Sequence, residues 1–401
     1  MTYEWNHSTI NDVCVLVTDG SHSSPKSVND GKYMVSVKDF TDYGFDFASC
    51  RMISNDDYET LKRNGCVPQI DDILIGKDGA RFFEDIIIYR QREKPALLSS
   101  IAILRCDKSK ILPDFLYYVL RTPSFRQDVK DNYGSGSAIP RIILKDFKRM
   151  MVSYPSLEKQ QAIISVLTAI DSKIQANTEI NDNLEQQAQA FFQELFVDNA
   201  DPEWAIGTIS DLGAVVGGST PSKAKPEYYT ETGIAWITPK DLSVNKSKFI
   251  SHGGNDITEL GLKNSSATIM PEGTVLFSSR APIGYIAVAA GEVTTNQGFK
   301  SIVPKPEIGT AFVYYFLKHN LPIIEGMASG STFKEVSGST MKGVPAVIPD
   351  TDTIARFNDF CSPIFAQQRI LEEQNQSLAA LRDNLLPKLM SGEIDVSEIQ
   401  L

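Results

Sequence analysis

Apolar residues along this chain follow two different periods, and the switch between them divides the sequence into four parts. Up to about residue 105, and again from about 204 to 303, short β-branched and aromatic runs alternate with clusters of Gly, Pro, Asn and Ser, which predicts short strands joined by turns. Examples are Ile73-Leu-Ile75, Ile86 to Tyr89, Val275-Leu-Phe277 and Ile283 to Ala289. Both stretches open on a Trp-led strand pattern, Trp5 to Val17 and Trp204 to Val216, sharing Trp-x4-Ile-x-Asp. A polar loop follows, Asp19-Gly-Ser-His-Ser-Ser-Pro25 or Gly217-Gly-Ser-Thr-Pro221, and then a run ending in Lys-Asp at Asp39 or Asp241. Helical stretches with Phe115-Leu-Tyr-Tyr118 and Phe312-Val-Tyr-Tyr315 come next. Their tyrosines suit helix packing better than base stacking.

The second period is helical. Leu167, Ile170, Ile174, Asn177, Asn181, Leu184, Ala188, Phe191 and Leu195 recur at spacings of three and four. So do Cys361, Ile364, Gln368, Leu371, Asn375, Leu378, Arg382, Leu385 and Leu389. Each stripe needs a facing helix. Pro155-Ser156 and Pro349-Asp350 supply starts with capping oxygens, Gly392 supplies a left-handed stop, and Pro387 predicts a kink in the last turn.

The two stripes belong to one repeat at an offset of 194 residues. Ser135-Gly136-Ser137 returns as Ser329-Gly330-Ser331, Pro155 as Pro349 and Leu195 as Leu389. The Ser-Gly-Ser segments suit either a hinge or a DNA contact. If a pseudo-two-fold axis relates the copies, the helices run antiparallel and their midpoints, Asn181 and Asn375, meet. A buried amide pair fixes register, so an Asn181–Asn375 contact is expected, with Ile180 the competing core residue. Residues 167 to 195 span about 42 Å of helix at 1.5 Å per residue. That is of the order of one turn of duplex DNA, roughly 34–36 Å.

The fold expected is mixed α/β (α+β), with globular domains at 1–154 and 200–348 separated by two long antiparallel coiled-coil helices, 155–199 and 349–401. The net charge of −11 argues against indiscriminate polyanion binding. Its location changes that picture, because residues 151–200 and 351–401 hold 6 basic and 15 acidic side chains and the rest of the chain is nearly neutral. Five cysteines without a C-x-x-C pair suit a reducing compartment, with the cytoplasm as default. Neither a secretory leader nor a membrane span is indicated.

Five segments carry a family resemblance: Gly217-Gly-Ser-Thr-Pro-Ser222, Ile234-Ala-Trp-Ile-Thr-Pro-Lys-Asp-Leu242, Ser279-Arg-Ala-Pro-Ile-Gly284, Thr295-Asn-Gln-Gly-Phe299 and Gly330-Ser-Thr-Phe333. Together they resemble a target-recognition domain of type I restriction–modification specificity subunits. Leu385-Leu-Pro-Lys-Leu-Met-Ser-Gly-Glu-Ile394 and the first helix, from Pro155 to Phe196, resemble that family's helical segments. The first domain departs from the pattern, with Gly20-Ser-His-Ser-Ser-Pro25, Lys77-Asp-Gly-Ala-Arg81 and Leu98-Ser-Ser100 in the corresponding places. The resemblance implies two target-recognition domains reading a bipartite double-stranded DNA site, one half-site each. Helices would dock methyltransferase subunits, expected to number two, with restriction or motor subunits in a larger complex.

No Asn-Pro-Pro-Tyr-like segment, phosphate loop or metal-nuclease cluster occurs in the sequence, so no catalysis is assigned to this chain. S-adenosylmethionine, ATP and Mg are expected in the partner subunits. The competing reading is a coiled-coil scaffold with two ligand-binding domains. Lysine, arginine and small hydroxyl residues on loops are what DNA reading requires. The candidates are Ser219, Thr220, Ser222, Lys223, Lys240, Ser279, Arg280 and Gln297 in the second domain, and His22, Lys26, Lys38, Lys77 and Arg81 in the first. Arg280, the only arginine between residues 150 and 355, is the sharpest, with a structural salt bridge as its alternative role.

Overall fold

A computed structural model of the chain describes residues 5–79, 81–134, 141–330 and 334–396. The Ser135-Gly136-Ser137 segment and Ser331-Thr-Phe333 lie outside these residues. The chain forms two compact units, Met1–Ser172 with Leu378–Leu401, and Lys173–Ser377. The first long helix, Leu157–Gln193, and the second, Thr351–Ser391, each contribute residues to both units.

Both units open with the same local device. The Trp-led runs are not continuous strands: a single helical turn, Ile10–Val13 or Ile209–Leu212, interrupts each. The shared aspartate explains the break. Asp12 accepts from the Thr9 amide at 3.1 Å and its hydroxyl at 2.6 Å, and Asp211 accepts from the Thr208 amide at 2.8 Å. These reciprocal caps satisfy amides at the start of the turn and hold both carboxyls below the usual aspartate range. The Lys-Asp motif is a second such cap. The Asp39 carboxylate takes the Ser36 amide at 2.7 Å, and that of Asp241 takes the Thr238 amide at 2.7 Å.

In the first unit a four-stranded antiparallel sheet runs in the order Cys14–Asp19, Ile101–Cys106, Ile73–Gly76, Ile86–Ile88. Ile73, Ile75 and Leu104 share a core with Phe115 and Leu116, and with Ile163, Leu167, Leu386 and Leu389 of the long helices. In the second unit a five-stranded sheet runs Gly213–Gly217, Lys300–Pro304, Val275–Ser279, Ile283–Ala289, Phe249–Ile250. Val275, Phe277 and Phe312 pack there with Phe192, Leu195, Phe357 and Cys361. The helix stripes are therefore parts of the sheet cores as well as of a helix pair. Truncating a fully buried residue such as Leu167 should cost about 2–5 kcal/mol.

The helices run antiparallel within each unit, with a register one turn from that expected. In the second unit the Asn177 amide donates to the Asn375 side-chain oxygen at 2.9 Å. Asn181 does not meet Asn375: its backbone carbonyl accepts from Gln368 at 3.3 Å, and its buried side-chain oxygen has no hydrogen-bond partner. The observed register instead brings the Asn177 side-chain amide to two acceptors, Asn375 at 2.9 Å and Gln374 at 3.3 Å. Ile180 stays outside the seam, 46% exposed. In the first unit Arg382 binds Asp171 at 2.9 Å, and Asp171 also accepts from the Tyr118 hydroxyl at 2.7 Å.

Asp350 caps the second helix through the Thr353 amide at 2.8 Å, and Gly392 ends it at φ +74°. Helix continues through Pro387 to Ser391. Among the described residues no helix is long and apolar enough to cross a membrane.

Candidate nucleic-acid interface

The polar loop of the second unit is held from below. Its Ser219 amide donates to the Thr295 carbonyl at 2.9 Å, and the Ser219 carbonyl accepts from the Trp236 indole at 3.0 Å. The Tyr229 hydroxyl reaches the Pro221 carbonyl at 2.6 Å. Gly218 permits the close approach: a Cβ there would sit 1.9 Å from the Asn296 carbonyl oxygen. Beside this loop lies an open cleft of about 1100 Å³, which Thr220, Lys223, Lys240, Arg280 and Gln297 all line. Five of the eight expected residues thus converge on one concave surface with three cationic side chains.

The other three do not line it. Ser279 is fully buried, its hydroxyl bonded to the Gly298 carbonyl at 3.1 Å, so its role is to close the strand end. The Ser219 hydroxyl accepts from the Ser266 amide at 3.2 Å. Ser222 is exposed on the loop, and its carbonyl accepts from the Lys225 amide at 3.1 Å. Arg280 forms the salt bridge considered as its alternative role, Nη1 to Glu335 at 3.3 Å, yet remains 36% exposed at the cleft. Residue-type reasoning missed Trp236, Tyr229 and Asn296 as cleft residues. The aromatic pair at 5.6 Å was findable, since a tryptophan beside a polar loop has an N–H that needs an acceptor.

In the first unit Gly20 and Ser21 take the same backbone places. Their amides donate to the Ile101 carbonyl at 3.1 Å and the Leu97 carbonyl at 2.7 Å, as those of Gly218 and Ser219 do to Phe299 and Thr295. Arg51 replaces the aromatic clamp, binding the Pro25 carbonyl at 3.0 Å and the Ser24 hydroxyl at 2.9 Å. His22, Lys26 and Lys38 are exposed around this loop, with His22 3.3 Å from Asp19. Lys77 is not at the surface. It is 1% exposed and pairs with Asp19 at 3.1 Å, which makes it part of the fold. Arg81 is 72% exposed and pairs with Asp85 at 2.7 Å, which holds its guanidinium above the ordinary range. Among the described residues no cluster of His, Cys, Asp and Glu could hold a metal ion.

A family described as the type I restriction modification DNA specificity domain matches residues 3–186 and 202–381, one match for each copy of the repeat. The chain belongs to this specificity-subunit family. The MjaIX specificity subunit of Methanocaldococcus jannaschii is 39% identical over 191 residues, 45% of this chain and 44% of the relative, so the chain matches under half of that protein's length. The HindI specificity subunit of Haemophilus influenzae is 25% identical over 371 residues, covering 73% of this chain and 80% of the relative. The crystal structure of the type I S subunit from M. genitalium has the same fold, at a TM-score of 0.57 and 16% identity over 96% of both chains. Two copies of this domain, each packed against the long helices, thus make up the chain. The scaffold reading loses its ground.

Proposed function

We propose that each unit reads one half of a bipartite double-stranded DNA target and that the long helices dock methyltransferase subunits, expected to number two. The observation that carries this reading is the cleft of the second unit. Thr220 and Lys223, on and just after a loop fixed by backbone and ring contacts, line the cleft together with Lys240, Arg280 and Gln297. Lysines on such a surface neutralise phosphates, whereas a guanidinium or a side-chain amide can make paired hydrogen bonds to base edges, each pair worth about 1–3 kcal/mol of discrimination. The negative charge sits on the helical segments and leaves the recognition parts near neutral, which favours steered, specific binding over general polyanion binding.

Catalysis falls to the partners, which would supply the S-adenosylmethionine, ATP and Mg sites and, in a larger complex, restriction subunits. The spacer between half-sites follows, in this reading, from the length of the helices. The test is equilibrium binding of the chain reconstituted with methyltransferase subunits to duplex DNA over a salt series. Specific binding should fall linearly in log–log form with a slope reporting several phosphate contacts. Binding without salt dependence or sequence preference would refute the reading.

A further inference from the structure

His252 lines the cleft of the second unit on a loop that is fastened on both sides. Before it, the strand Phe249–Ile250 pairs with Ile283–Ala289. After it, the Gly254 amide donates at 2.8 Å to the carboxylate of Asp241, which also caps the Thr238 amide. Gly253 permits this close approach, because a Cβ there would lie 2.6 Å from the Trp236 carbonyl oxygen. The ring itself is held by Asp256, whose two oxygens lie 3.3 and 3.2 Å from its Nδ1. Asp256 is 2% exposed and accepts the Gly233 amide at 3.0 Å as well, so the carboxylate is fixed from below.

This contact decides what the ring can do. A carboxylate accepts and does not donate, so Nδ1 carries the hydrogen and Nε2 of the neutral ring is an acceptor. The side chain is 62% exposed, and among the described residues Nε2 has no hydrogen-bond partner. The cations of the cleft, Lys223, Lys240 and Arg280, can only donate. Asp241 spends its oxygens on the Thr238 amide and hydroxyl and on the Gly254 amide, and the Asn296 side-chain oxygen takes the Gly298 amide at 2.8 Å. The side-chain amides of Gln297 and Asn255 can turn either way. Nε2 of His252 is thus an acceptor whose role a buried partner fixes, in a cleft of donors. In the major groove the donors that suit it are the amino groups of adenine and cytosine. A phosphate, which only accepts, does not pair with it.

We propose that His252 is a specificity-determining residue of the second unit, its Nε2 accepting a hydrogen bond from the amino group of an adenine or a cytosine, with Asp256 as its positioning residue. The inference rests on the DNA-reading function proposed above. It adds to the cleft a selection that lysine and arginine cannot make, because those side chains have no acceptor.

The test uses the full chain with methyltransferase subunits and a randomised duplex library, reading the bound sequences for the wild type, His252→Asn, Asp256→Asn and Arg280→Ala. Melting curves check folding. Asparagine places its amide nitrogen where Nδ1 stands, so His252→Asn keeps the donor to Asp256 and removes Nε2. It should lose about tenfold in specific affinity and lose a preference for adenine or cytosine at one position, in the same half of the target that Arg280→Ala affects. At that position a base analogue without the amino group, purine for adenine or 2-pyrimidinone for cytosine, should weaken the wild type about as much. It should weaken His252→Asn little further, since both changes remove one bond. Asp256→Asn can donate to Nδ1 and so move the hydrogen to Nε2, which should turn the preference there toward guanine or thymine. A merely structural aspartate would give no such change of base. Wild-type selection by His252→Asn, the same loss on every sequence, or additive losses with the analogue would overturn the assignment. Should the variants not fold, a wild-type complex indifferent to the loss of each adenine and cytosine amino group in that half would overturn it. If the wild-type complex selects a bipartite sequence and His252→Asn leaves it unchanged, only this inference fails. If the wild-type complex selects no sequence, the DNA-reading function fails with it.

Discussion

Beneath its polar loop the first unit buries an ion pair, Asp19 with Lys77, where the second unit has Gly217 and the neutral Ser279. The second unit buries its charge elsewhere. Lys248, 5% exposed, pairs with Glu185 of the first helix, lies 4.2 Å from the Phe365 ring and 4.7 Å from that of Tyr314, and meets Gln368 at 2.6 Å. Lys318 binds the same carboxylate at 2.6 Å. One backbone plan thus carries two arrangements of interior charge. The difference teaches that a lysine near the loop is not evidence of DNA contact, since Lys77 and Lys240 look alike in sequence and only one reaches solvent.

The largest effect that could break this comparison is removal of one member of either buried pair. Lys77→Ala should destabilise the first unit, and Glu185→Ala the second, by about 3–5 kcal/mol each, because a charge is left buried without its partner. Hydrogen exchange resolves the two units separately. Protection lost in both units from either substitution would contradict a local role.

Acid sharpens the same contrast. Burial raises the Glu185 pKa, but Lys248 and Lys318 outweigh it and hold the carboxyl at about 2 against an ordinary 4.5. A depressed carboxyl contributes stability that is complete above about 4.5 and is lost as pH falls toward 2, here on the order of 3 kcal/mol. Glu372, which accepts the Lys248 and Phe249 amides at 2.8 and 3.0 Å, is pushed upward by burial and offsets part of this. The second unit should therefore lose exchange protection between pH 4.5 and 2, and Glu185→Gln should flatten that dependence. An unchanged profile in Glu185→Gln would show that other carboxylates control acid unfolding.

Smaller effects lie in the helix seam. Asn375→Leu removes the nearer of the two acceptors of the buried Asn177 amide, the other being Gln374, and should cost about 1–3 kcal/mol. Asn181→Leu should do the opposite. The repeat relates the Asn177–Asn375 contact to one between Asn181 and Leu371, which offers no hydrogen bond, and the Asn181 oxygen is buried without a partner. Replacing it should raise stability by about 1 kcal/mol, read as a higher melting temperature. A lower one would give Asn181 the register role first expected of it.

Much of the fold was legible because repetition constrains the reading twice. The 194-residue offset, the strand periods and both helix stripes came from residue type alone, and so did the positions of the capping aspartates. Their meaning did not, because an aspartate three residues after threonine breaks a strand only if its carboxylate turns back to the threonine amide. Register was illegible for a related reason: it depends on which facing residues form bonds, and Asn177 rather than Asn181 meets Asn375. Within the site, exposed lysines were readable as residue types, but burial of Lys77 and Ser279 was not.

In the proposed function each unit carries its own half of the specificity. Because the sheet core of the second unit includes Phe192, Leu195, Phe357 and Cys361 of the long helices, simple deletion would expose an apolar face. Exchange is the cleaner operation. Residues 205–348 should be replaced by the corresponding residues of another specificity subunit, leaving both long helices in place, and the bases modified with the methyltransferase subunits should be mapped across a genome. The account predicts a new bipartite motif in which one half matches the donor, while the other half and the spacer stay as in the parent. A folded, active chimera whose two halves both change, or neither, would contradict it.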